Sequence, residues 1–382
     1  MRIALITDGI WPYVLGGMQK HSYYLCKYLA QQKVQVDLYH FNESKYDISK
    51  LEFFTEEERS YIHPVVIDFP KGRSFPGHYL YKNYQYSKLI FEHIQPQLQN
   101  YDLIYTKGFT GWYLIEQKHK GKINCARIGV KFHGYEMFQK PPSFKIRLQH
   151  LFLLRKPVRA LSRKADLVFS YGGKITQLIR KIGVADSKIY ELPSGVEAAS
   201  IADSTVKGAE KIRFLFLGRY ERRKGIEELN TAINDLIHQY KQLKAEFHFI
   251  GPIPEHLRMR DEHFIYHGEI RDKGILQEHL RRCDILICPS WSEGMPNVIL
   301  EAMANGLTVI ATDVGATNVL VNEKTGWLLA EPDPELIKNT LDKLIKLEPR
   351  YIYEKKQEAL DLIKNKFTWE KLIHEFCDDL LK

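Results

Sequence analysis

The sequence has 382 residues, of which 44% are hydrophobic and 12% aromatic, and a formal net charge of +8. This length favours two domains, at about 100–200 residues each, and the apolar content excludes a chain that is disordered throughout. No segment of about 18 consecutive apolar residues occurs, which excludes a membrane-spanning helix.

Short apolar segments alternate with helical patterns along the whole chain. In the first half, strands are predicted at residues 2–8, 35–40, 102–106, 126–132, 166–170 and 189–192. In the second half, strands are predicted at residues 212–217, 246–250, 264–266, 285–288, 308–312 and 326–329. The helical patterns between them include residues 18–31, 226–239, 296–304 and 334–347. Repeated strand–helix alternation predicts parallel α/β sheets.

The alternation restarts in the middle of the chain. Residues 193–211 contain few large apolar side chains and predict a linker, after which a new first strand begins. Each half opens with a strand, a glycine-containing turn and a helix. We therefore predict two doubly wound domains, residues 1–195 and 196–367, which face each other across a cleft. The amphipathic segment 368–382 can pack on either domain, and we expect it on the first.

The charge is divided unevenly between the two halves. Residues 1–195 carry 29 Lys and Arg against 16 Asp and Glu, a net of +13, whereas residues 196–382 carry 26 against 31, a net of −5. This asymmetry predicts domains with different partners. The basic half suits nucleic acid, an anionic membrane surface or an acidic small molecule, and charge alone does not choose among them.

The cysteines and the first residues bear on the cellular compartment. The five cysteines are odd in number and include no Cys-x-x-Cys pair, and the chain does not open with a signal-peptide pattern. We therefore expect reduced thiols in a cytoplasmic protein.

One glycine-containing turn follows the first predicted strand of each half. Gly16 and Gly17 allow a close backbone approach to a ligand before a helix N-terminus, which favours anions. The Gly-x-Gly-x-x-Gly fingerprint of dinucleotide sites is absent, and a plain turn is the competing interpretation. In the second half, Arg219 and Lys224 can clamp a pyrophosphate, as a fork and a point charge. A solvated basic turn explains that segment equally well.

Residues 289–306 carry the most specific pattern. A predicted strand ends just before them, Gly294 permits a tight turn, and Pro296 suits the first position of a helix. The backbone N–H groups from Gly294 onward then face the carboxyl edge of the sheet, where they can bind phosphate. Glu293 and Glu301 suit sugar hydroxyls, which donate hydrogen bonds, so the segment points to a nucleotide sugar. A capped surface helix with two ordinary glutamates is the alternative.

This segment resembles the Glu-x7-Glu signature of the family 4 retaining glycosyltransferases, which have the GT-B fold of two Rossmann-like domains. Four further pieces of sequence agree with that family, in the same order. They are Gly16-Gly17, Phe132-His133-Gly134, Leu192-Pro193-Ser194-Gly195-Val196, and Gly218-Arg219 followed by Lys224-Gly225. The resemblance spans nearly the whole chain and is specific for the family, but it does not identify the substrate.

The resemblance implies a role for each matching residue. Arg219 and Lys224 would hold the donor pyrophosphate, and Glu293 would bind hydroxyls of the donor sugar. Glu301 would bind the ribose. His133 would lie near the reacting sugar, with satisfied packing at a strand end as the alternative. The remaining donor contacts are expected from Gly16, Gly17, Ile270, Gly294, Met295, Pro296, Asn297 and Val298.

The reaction that the resemblance implies is transfer of a hexose or N-acetylhexosamine to a hydroxyl acceptor, with retention of anomeric configuration. We expect a UDP-sugar donor on family frequency. Charge builds up on the leaving diphosphate, where Arg219, Lys224 and helix N–H groups can stabilise it. No Asp-x-Asp motif lies at a predicted strand end, so we expect no metal ion and no cofactor besides the nucleotide sugar. The sequence identifies no carboxylate nucleophile for a double displacement, so we expect front-face attack.

The resemblance implies that the domain of residues 1–195 takes the acceptor and that the domain of residues 196–367 binds the donor. The acceptor-side domain combines basic and apolar residues. Residues 140–164 hold Lys140, seven further cations, many large apolar residues and no acid. A second aromatic–basic region contains Tyr79, Tyr81, Tyr84, Tyr86, Lys71, Arg73, Lys82 and Lys88. A helix of this kind can lie in an anionic membrane interface, and a helix packed on the sheet with solvated cations is the alternative. We expect a lipid-linked or surface-glycan acceptor and a peripheral position on the inner face of the cytoplasmic membrane.

Other functions fit fewer of these features. A nucleic-acid-binding protein accounts for the basic half but not for Glu293 and Glu301, whose carboxylates repel backbone phosphate. Another GT-B enzyme, such as a nucleotide-sugar epimerase or a phosphorylase, and a non-catalytic nucleotide-sugar-binding protein are the remaining alternatives. Donor hydrolysis or sugar transfer distinguishes an enzyme from a binding protein.

Overall fold

The computed structural model describes residues 1–14, 16–41, 50–71, 77–206 and 211–380. Arg73 of the predicted aromatic–basic region, residues 207–210 of the predicted linker and the last two residues of the predicted C-terminal segment lie outside the described residues. Across the described chain the strands form two separate sheets, each composed of parallel pairs.

The first sheet and its helices extend from the first residues to the middle of the chain. Its strands are β1 Arg2–Ile6, β2 Gln35–His40, β3 Ile62–Val66, β4 Leu103–Lys107, β5 Arg127–Lys131, β6 Leu167–Ser170 and β7 Ile189–Glu191. The helices are α1 Gly17–Gln31, α2 Glu56–Arg59, α3 His78–Ile94, α4 Trp112–His119, α5 Phe144–Gln149, α6 Arg155–Lys164 and α7 Gly173–Lys181. A π-helical turn, His150–Leu154, joins α5 directly to α6.

The second sheet repeats this plan. Its strands are β8 Ile212–Leu217, β9 Ala245–Ile250, β10 Phe264–Gly268, β11 Ile285–Cys288, β12 Thr308–Thr312 and β13 Gly326–Leu329. Its helices are α8 Ile226–Gln239, α9 Lys273–Arg282, α10 Asn297–Ala304, α11 Thr317–Leu320, α12 Pro334–Ile345 and α13 Pro349–Lys366. A last helix, α14 Trp369–Leu380, follows them.

The strand orders confirm the predicted fold class of two doubly wound α/β domains. The first sheet has the order β3-β2-β1-β4-β5-β6-β7 and the second β10-β9-β8-β11-β12-β13. All twelve predicted strands are present, and β3 is an additional strand that the sequence pattern did not predict.

Apolar side chains on both faces of each strand explain why the sheets are buried. In β1, Ile3 and Leu5 pack in the layer that contains α1, whereas Ala4 and Ile6 pack in the opposite layer. All four side chains are fully buried. Covering both faces with helices removes this apolar surface from water, and each large apolar side chain contributes about 1.5–3 kcal/mol.

The strand order reverses at one point in each sheet, and this position locates the ligand crevice. In the first sheet the reversal lies between β1 and β4, and in the second between β8 and β11. The loops that leave neighbouring strands at such a point run to opposite sides, which opens a crevice at the carboxyl ends of the strands. The segments after β8 and β11 are those that carry Lys224 and Glu293.

The C-terminal helix α14 returns to the first sheet's helices. Trp369 stacks on Tyr24 of α1 at 5.7 Å between ring centroids, and the hydroxyl of Tyr28 donates to Glu370 at 3.1 Å. Just before α14 the chain passes the domain junction, where the N–H of Trp369 donates to the carbonyl of Val196 at 3.0 Å. None of the helices in the described part of the chain is long and apolar enough to cross a bilayer.

Candidate active site

The loops after β8 and β11 approach each other closely at the crevice of the second sheet. Gly225 has φ +69°, and a methyl group added to it would lie 1.8 Å from the carbonyl oxygen of Pro289. Only glycine fits this position, both for its left-handed backbone and for the contact. The carbonyl of Arg223 accepts the N–H of Trp291 at 2.8 Å, which fixes the two loops together.

Glu293 lies at the centre of this contact. Its side chain is 7% exposed and accepts hydrogen bonds at Oε1 from Lys224 Nζ at 2.7 Å and from Ser290 Oγ at 2.8 Å. Its Oε2 lies 3.3 Å from a guanidinium nitrogen of Arg223. Two cations from the β8 loop therefore hold one carboxylate from the β11 loop.

The charges of this cluster are fixed at neutral pH. Burial raises the pKa of Glu293, but Lys224 and Arg223 outweigh burial and lower it to about 2. Burial lowers the pKa of Lys224 and of Arg223, but Glu293 outweighs it and both values are raised. The cluster thus holds two positive charges and one negative charge, a combination that suits a ligand with both phosphates and hydroxyls.

Arg219 lies apart from this cluster. Its side chain is 72% exposed and pairs with Glu221 at 2.8 Å. Arg223, which the sequence analysis did not single out, is instead the arginine that contacts Glu293 and donates to the carbonyl of Ser292 at 2.9 Å. Arg223 belongs to the basic triplet Arg222-Arg223-Lys224 before Gly225, but the spacing of the residues does not predict which of these side chains points inward. Arg222 of the same triplet pairs with Glu228 of α8.

The first domain contacts the Glu293 segment through the loop after β5. A methyl group added to Gly294 would lie 1.9 Å from the carbonyl oxygen of His133, so the two backbones touch. Gln139 Nε2 donates to the carbonyls of Gly134 and Glu293, each at 2.6 Å. Gln139 was not predicted from the sequence, because a lone glutamine carries no recognisable pattern. It joins the two domains at the carboxyl edges of their sheets.

His133 is positioned by Tyr171. Its Nδ1 lies 3.0 Å from the Tyr171 hydroxyl, and burial lowers the pKa of His133 to about 4, so the ring is neutral at neutral pH. A methyl group added to Gly17 would lie 3.7 Å from His133 Nε2 and from Asn297 Nδ2. Three predicted site residues from three separate segments, Gly17, His133 and Asn297, therefore meet at one point, with Gly16 adjoining them.

The other predicted residues surround α10. Glu301 lies 3.3 Å from Lys20 of α1, across the cleft, and its side chain is 31% exposed. Met295 is buried, and its sulfur accepts the N–H of Ser194 at 3.2 Å, so its side chain belongs to the domain junction. Pro296 precedes α10, Val298 is half-buried within it, and Ile270 packs at the end of β10.

Two family matches cover most of the chain. Residues 15–200 match glycosyltransferase family 4, and residues 211–346 match the group 1 glycosyl transferases. The uncharacterized glycosyltransferase MJ1069 of Methanocaldococcus jannaschii is 24% identical over 392 residues, which cover 97% of this chain and 96% of MJ1069. The structure of HepE from Anabaena, in complex with UDP and glucose, aligns over 100% of this chain and 99% of HepE, with a TM-score of 0.68 and 15% identity. The chain is a glycosyltransferase of the GT-B type.

A further relative matches part of this glycosyltransferase. TuaC of Bacillus subtilis, assigned to teichuronic acid biosynthesis as a glycosyltransferase, is 28% identical over 186 residues. The match covers 44% of this chain and 46% of TuaC, so the chain spans about half the length of that relative. In this glycosyltransferase the Glu293 cluster and the His133 loop lie on opposite domains, at the carboxyl edges of the two sheets.

Proposed function

We propose that this glycosyltransferase moves a hexose or N-acetylhexosamine from a nucleotide diphosphate sugar to a hydroxyl acceptor, with retention of anomeric configuration. The observation that carries the proposal is the buried Glu293 carboxylate between Lys224 and Arg223, opposite His133. A diphosphate suits the two cations, and sugar hydroxyls suit the carboxylate. A nucleotide diphosphate sugar supplies both of these groups.

The cations act on the leaving group. As the anomeric C–O bond breaks, negative charge grows on the diphosphate, and Lys224 and Arg223 are fixed beside the space that it enters. Arg219, exposed on the same loop, reaches the diphosphate when the donor is bound. N–H groups at the start of α10 and near Gly17 add hydrogen bonds to phosphate and sugar. Glu301 binds the ribose in exchange for its contact with Lys20.

The occupied carboxylate of Glu293 favours front-face attack. Both of its oxygens are engaged by Lys224, Ser290 and Arg223, so it is a poor nucleophile and a good acceptor for hydroxyl donors. In this mechanism a leaving-group phosphate oxygen takes the proton of the acceptor hydroxyl as that hydroxyl attacks the anomeric carbon. His133, neutral and held by Tyr171 at Nδ1, binds the reacting sugar through Nε2.

UDP is the nucleotide that we propose, and a lipid-linked or surface-glycan intermediate is the proposed acceptor. HepE, which shares the fold, was solved with UDP and glucose, and TuaC is assigned to teichuronic acid biosynthesis. The basic first domain supports an acceptor at an anionic membrane surface. We also propose that neither a metal ion nor a further cofactor is needed, since Lys224 and Arg223 supply the positive charge.

The first experiment is a thermal-shift screen against UDP-, GDP- and ADP-sugars. A ligand that binds only the native state raises the midpoint of unfolding, and we expect the largest rise with a UDP-hexose or UDP-N-acetylhexosamine. The Glu293→Gln variant keeps the shape of the side chain but loses its charge. For this variant, the sugar nucleotide should raise the midpoint of unfolding less than UDP alone does. No rise with any sugar nucleotide would refute the proposed donor class.

The second experiment follows the product. With a donor identified, transfer to an amphiphilic acceptor is measured by mass spectrometry, and the anomeric configuration of the product by NMR couplings. Retention of the donor's configuration is expected. An inverted product would refute front-face attack, and epimerised donor without transfer would identify the alternative enzyme class.

A further inference from the structure

The segment from α5 to the π-helical turn, residues 144–154, leaves its apolar side chains in solvent. The exposed fraction is 72% for Phe144 and 74% for Phe152. Leu148, Leu151 and Leu153 are exposed by 38%, 46% and 37%. Neither α5 nor the π turn has any buried residue. A cluster of this size on one short segment is unusual on a water-exposed surface and marks an interaction site.

The next helix shows what the same sequence type does when it packs on the sheet. In α6, Val158 and Leu161 are fully buried and only the basic residues face outward. The sequence allowed two interpretations of residues 140–164, a helix packed on the sheet and a helix in a membrane interface. Each interpretation fits a different part of this range. α6 is the packed helix, and the α5–π segment is the exposed one.

The charged residues around the exposed segment indicate which kind of partner it binds. Lys145, Arg147 and Lys156 are exposed beside the apolar side chains, and residues 140–164 contain no Asp or Glu. Cations around exposed Phe and Leu match a surface that is anionic at its face and apolar beneath it, which is the interface of an anionic lipid bilayer. A protein surface of mixed charge would pair with both acidic and basic side chains, so it would not explain why residues 140–164 contain no acidic residue.

The same segment lies next to the loop that contacts the Glu293 cluster. Before α5, Gln139 contacts the carbonyl of Glu293, and Lys140 pairs with Glu331 of the second domain. After the π turn, Arg155 donates to the carbonyl of Met137 at 2.7 Å and lies over the Phe138 ring. A surface that binds this segment therefore lies beside the cleft in which the acceptor hydroxyl must reach the donor sugar.

We propose that the α5–π segment is the membrane-docking surface of this glycosyltransferase, with Phe144 and Phe152 inserted into the interface of an anionic bilayer. This inference deepens the proposed function, since it places a lipid-linked acceptor beside the cleft. The inserted segment holds the cleft at the height of lipid headgroups, so an acceptor sugar on a lipid reaches Glu293 and His133 without leaving the bilayer.

The test is flotation of the full chain with vesicles of phosphatidylcholine and with vesicles of equal parts phosphatidylcholine and phosphatidylglycerol. We expect binding to the anionic vesicles, weakened by salt because the Debye length shortens. A Phe144→Ser/Phe152→Ser variant should bind at least about tenfold more weakly, from the loss of two large apolar groups. Leu336→Ser, which removes a 40% exposed leucine of α12, is the matched control and should bind as the wild type does.

A charge-reversed variant keeps the test independent of the apolar substitutions. Lys145→Glu/Arg147→Glu changes only exposed side chains and should lose the preference for phosphatidylglycerol. Wild-type binding by both variants, or no lipid binding by the wild type, overturns the proposal. A concentration-dependent dimer that disappears in Phe144→Ser/Phe152→Ser, without lipid binding, assigns the surface to a second copy instead. Vesicle binding is measured without donor, so its failure leaves the proposed transfer reaction intact.

Discussion

Both domains place basic side chains at the carboxyl edges of their sheets, but these side chains contact different groups. In the first domain, Lys107 at the end of β4 donates to the carbonyl of Met18 at 3.1 Å and bonds His21 at 3.0 Å. Lys131 at the end of β5 donates to the carbonyl of Leu192 at 2.5 Å. Each lysine is 2% exposed, so these side chains hold neighbouring segments together and are closed to ligands.

In the second domain the partner is a carboxylate and the cations remain accessible. The side chains of Lys224 and Arg223 are 19% and 28% exposed, and both contact Glu293. Phosphate or sugar hydroxyls can take over such contacts, whereas the carbonyls that hold Lys107 and Lys131 are part of the fold. The anion site that we propose therefore lies in the half with a net charge of −5, so the net charge of a domain does not predict the position of such a site.

The largest expected effect tests the accessible cations. Lys224→Ala should lower turnover by about 10²–10³-fold, because one fixed charge beside the leaving diphosphate is lost. Transfer rates at saturating donor give the measurement. Arg219→Ala is the control on the same loop and should lose less, since Arg219 is solvated before the donor binds. Wild-type turnover by Lys224→Ala would contradict the assignment of the diphosphate to this cluster.

The next effect concerns the stability of the cluster. Glu293→Gln should lower the free energy of unfolding by about 3 kcal/mol at pH 7, since it leaves the partly buried Lys224 and Arg223 without their counter-charge. The pKa of Glu293 is lowered to about 2, so its contribution is present above the unfolded pKa of about 4.3 and is lost as the pH falls through 2. Denaturant curves of the two proteins should converge at about pH 2. A constant difference across this range would mean that charge is not the cause.

The sequence predicted the sheets well because their strands are continuous apolar segments. β3 escaped prediction because His63 and Pro64 interrupt its pattern. Proline is tolerated there since β3 is the edge strand of its sheet, with β2 as its only neighbour in the described order. The register explains its position, with Val36 of β2 opposite Ile62.

The directions of the side chains at the site could not be predicted from the sequence. The sequence located the β8 and β11 loops, with Lys224 and Glu293, from the position of glycines and charges. It did not choose Arg223 over Arg219, because the direction of an arginine in a turn depends on the facing loop. Gln139 lies 154 residues from Glu293 along the chain, and only the folded domains bring the two together.

The glycines at the cleft give a smaller expected effect. Gly17→Ala should fold normally, since the added methyl group lies at an ordinary contact distance of 3.7 Å from His133 and Asn297. The methyl group occupies space that the donor needs, so we expect about a tenfold rise in donor KM with little change in kcat. An unchanged KM would remove Gly17 from the donor site. Gly111→Ala is unsuitable as a control, because its methyl group would clash with Thr106 at 2.5 Å.

The buried lysines of the first domain should affect stability more than turnover. We expect Lys107→Met to keep kcat within about threefold, because no ligand reaches Lys107. Burial lowers the pKa of Lys107 to about 7, and nearby Asp8 raises it by a smaller amount. Between pH 7 and the unfolded value of about 10.4, the unfolded chain binds the extra proton, so the wild type gains stability by up to about 1.4 kcal/mol per pH unit.

The measurement for Lys107 is the difference in unfolding free energy between wild type and Lys107→Met from pH 6 to 10. The difference should change in favour of the wild type above pH 7 and be constant below it. His21, Asp8 and Lys131 also face this site, and burial lowers the pKa of His21 well below its usual range, so His21 stays neutral over the whole interval. A large loss of turnover would show that the first domain's cations also act on the donor.

The smallest expected effect is that of chelation. If Lys224 and Arg223 supply the positive charge that the leaving diphosphate needs, EDTA should leave the transfer rate unchanged, and added Mg²⁺ or Mn²⁺ should not raise it. The decisive comparison uses Lys224→Ala, where a divalent ion has a missing charge to replace. Partial rescue of that variant by Mg²⁺, with an unaffected wild type, would show that the cation cluster does the work of a metal. Loss of wild-type activity in EDTA, restored by Mn²⁺, would instead make the cluster an accessory to a metal ion.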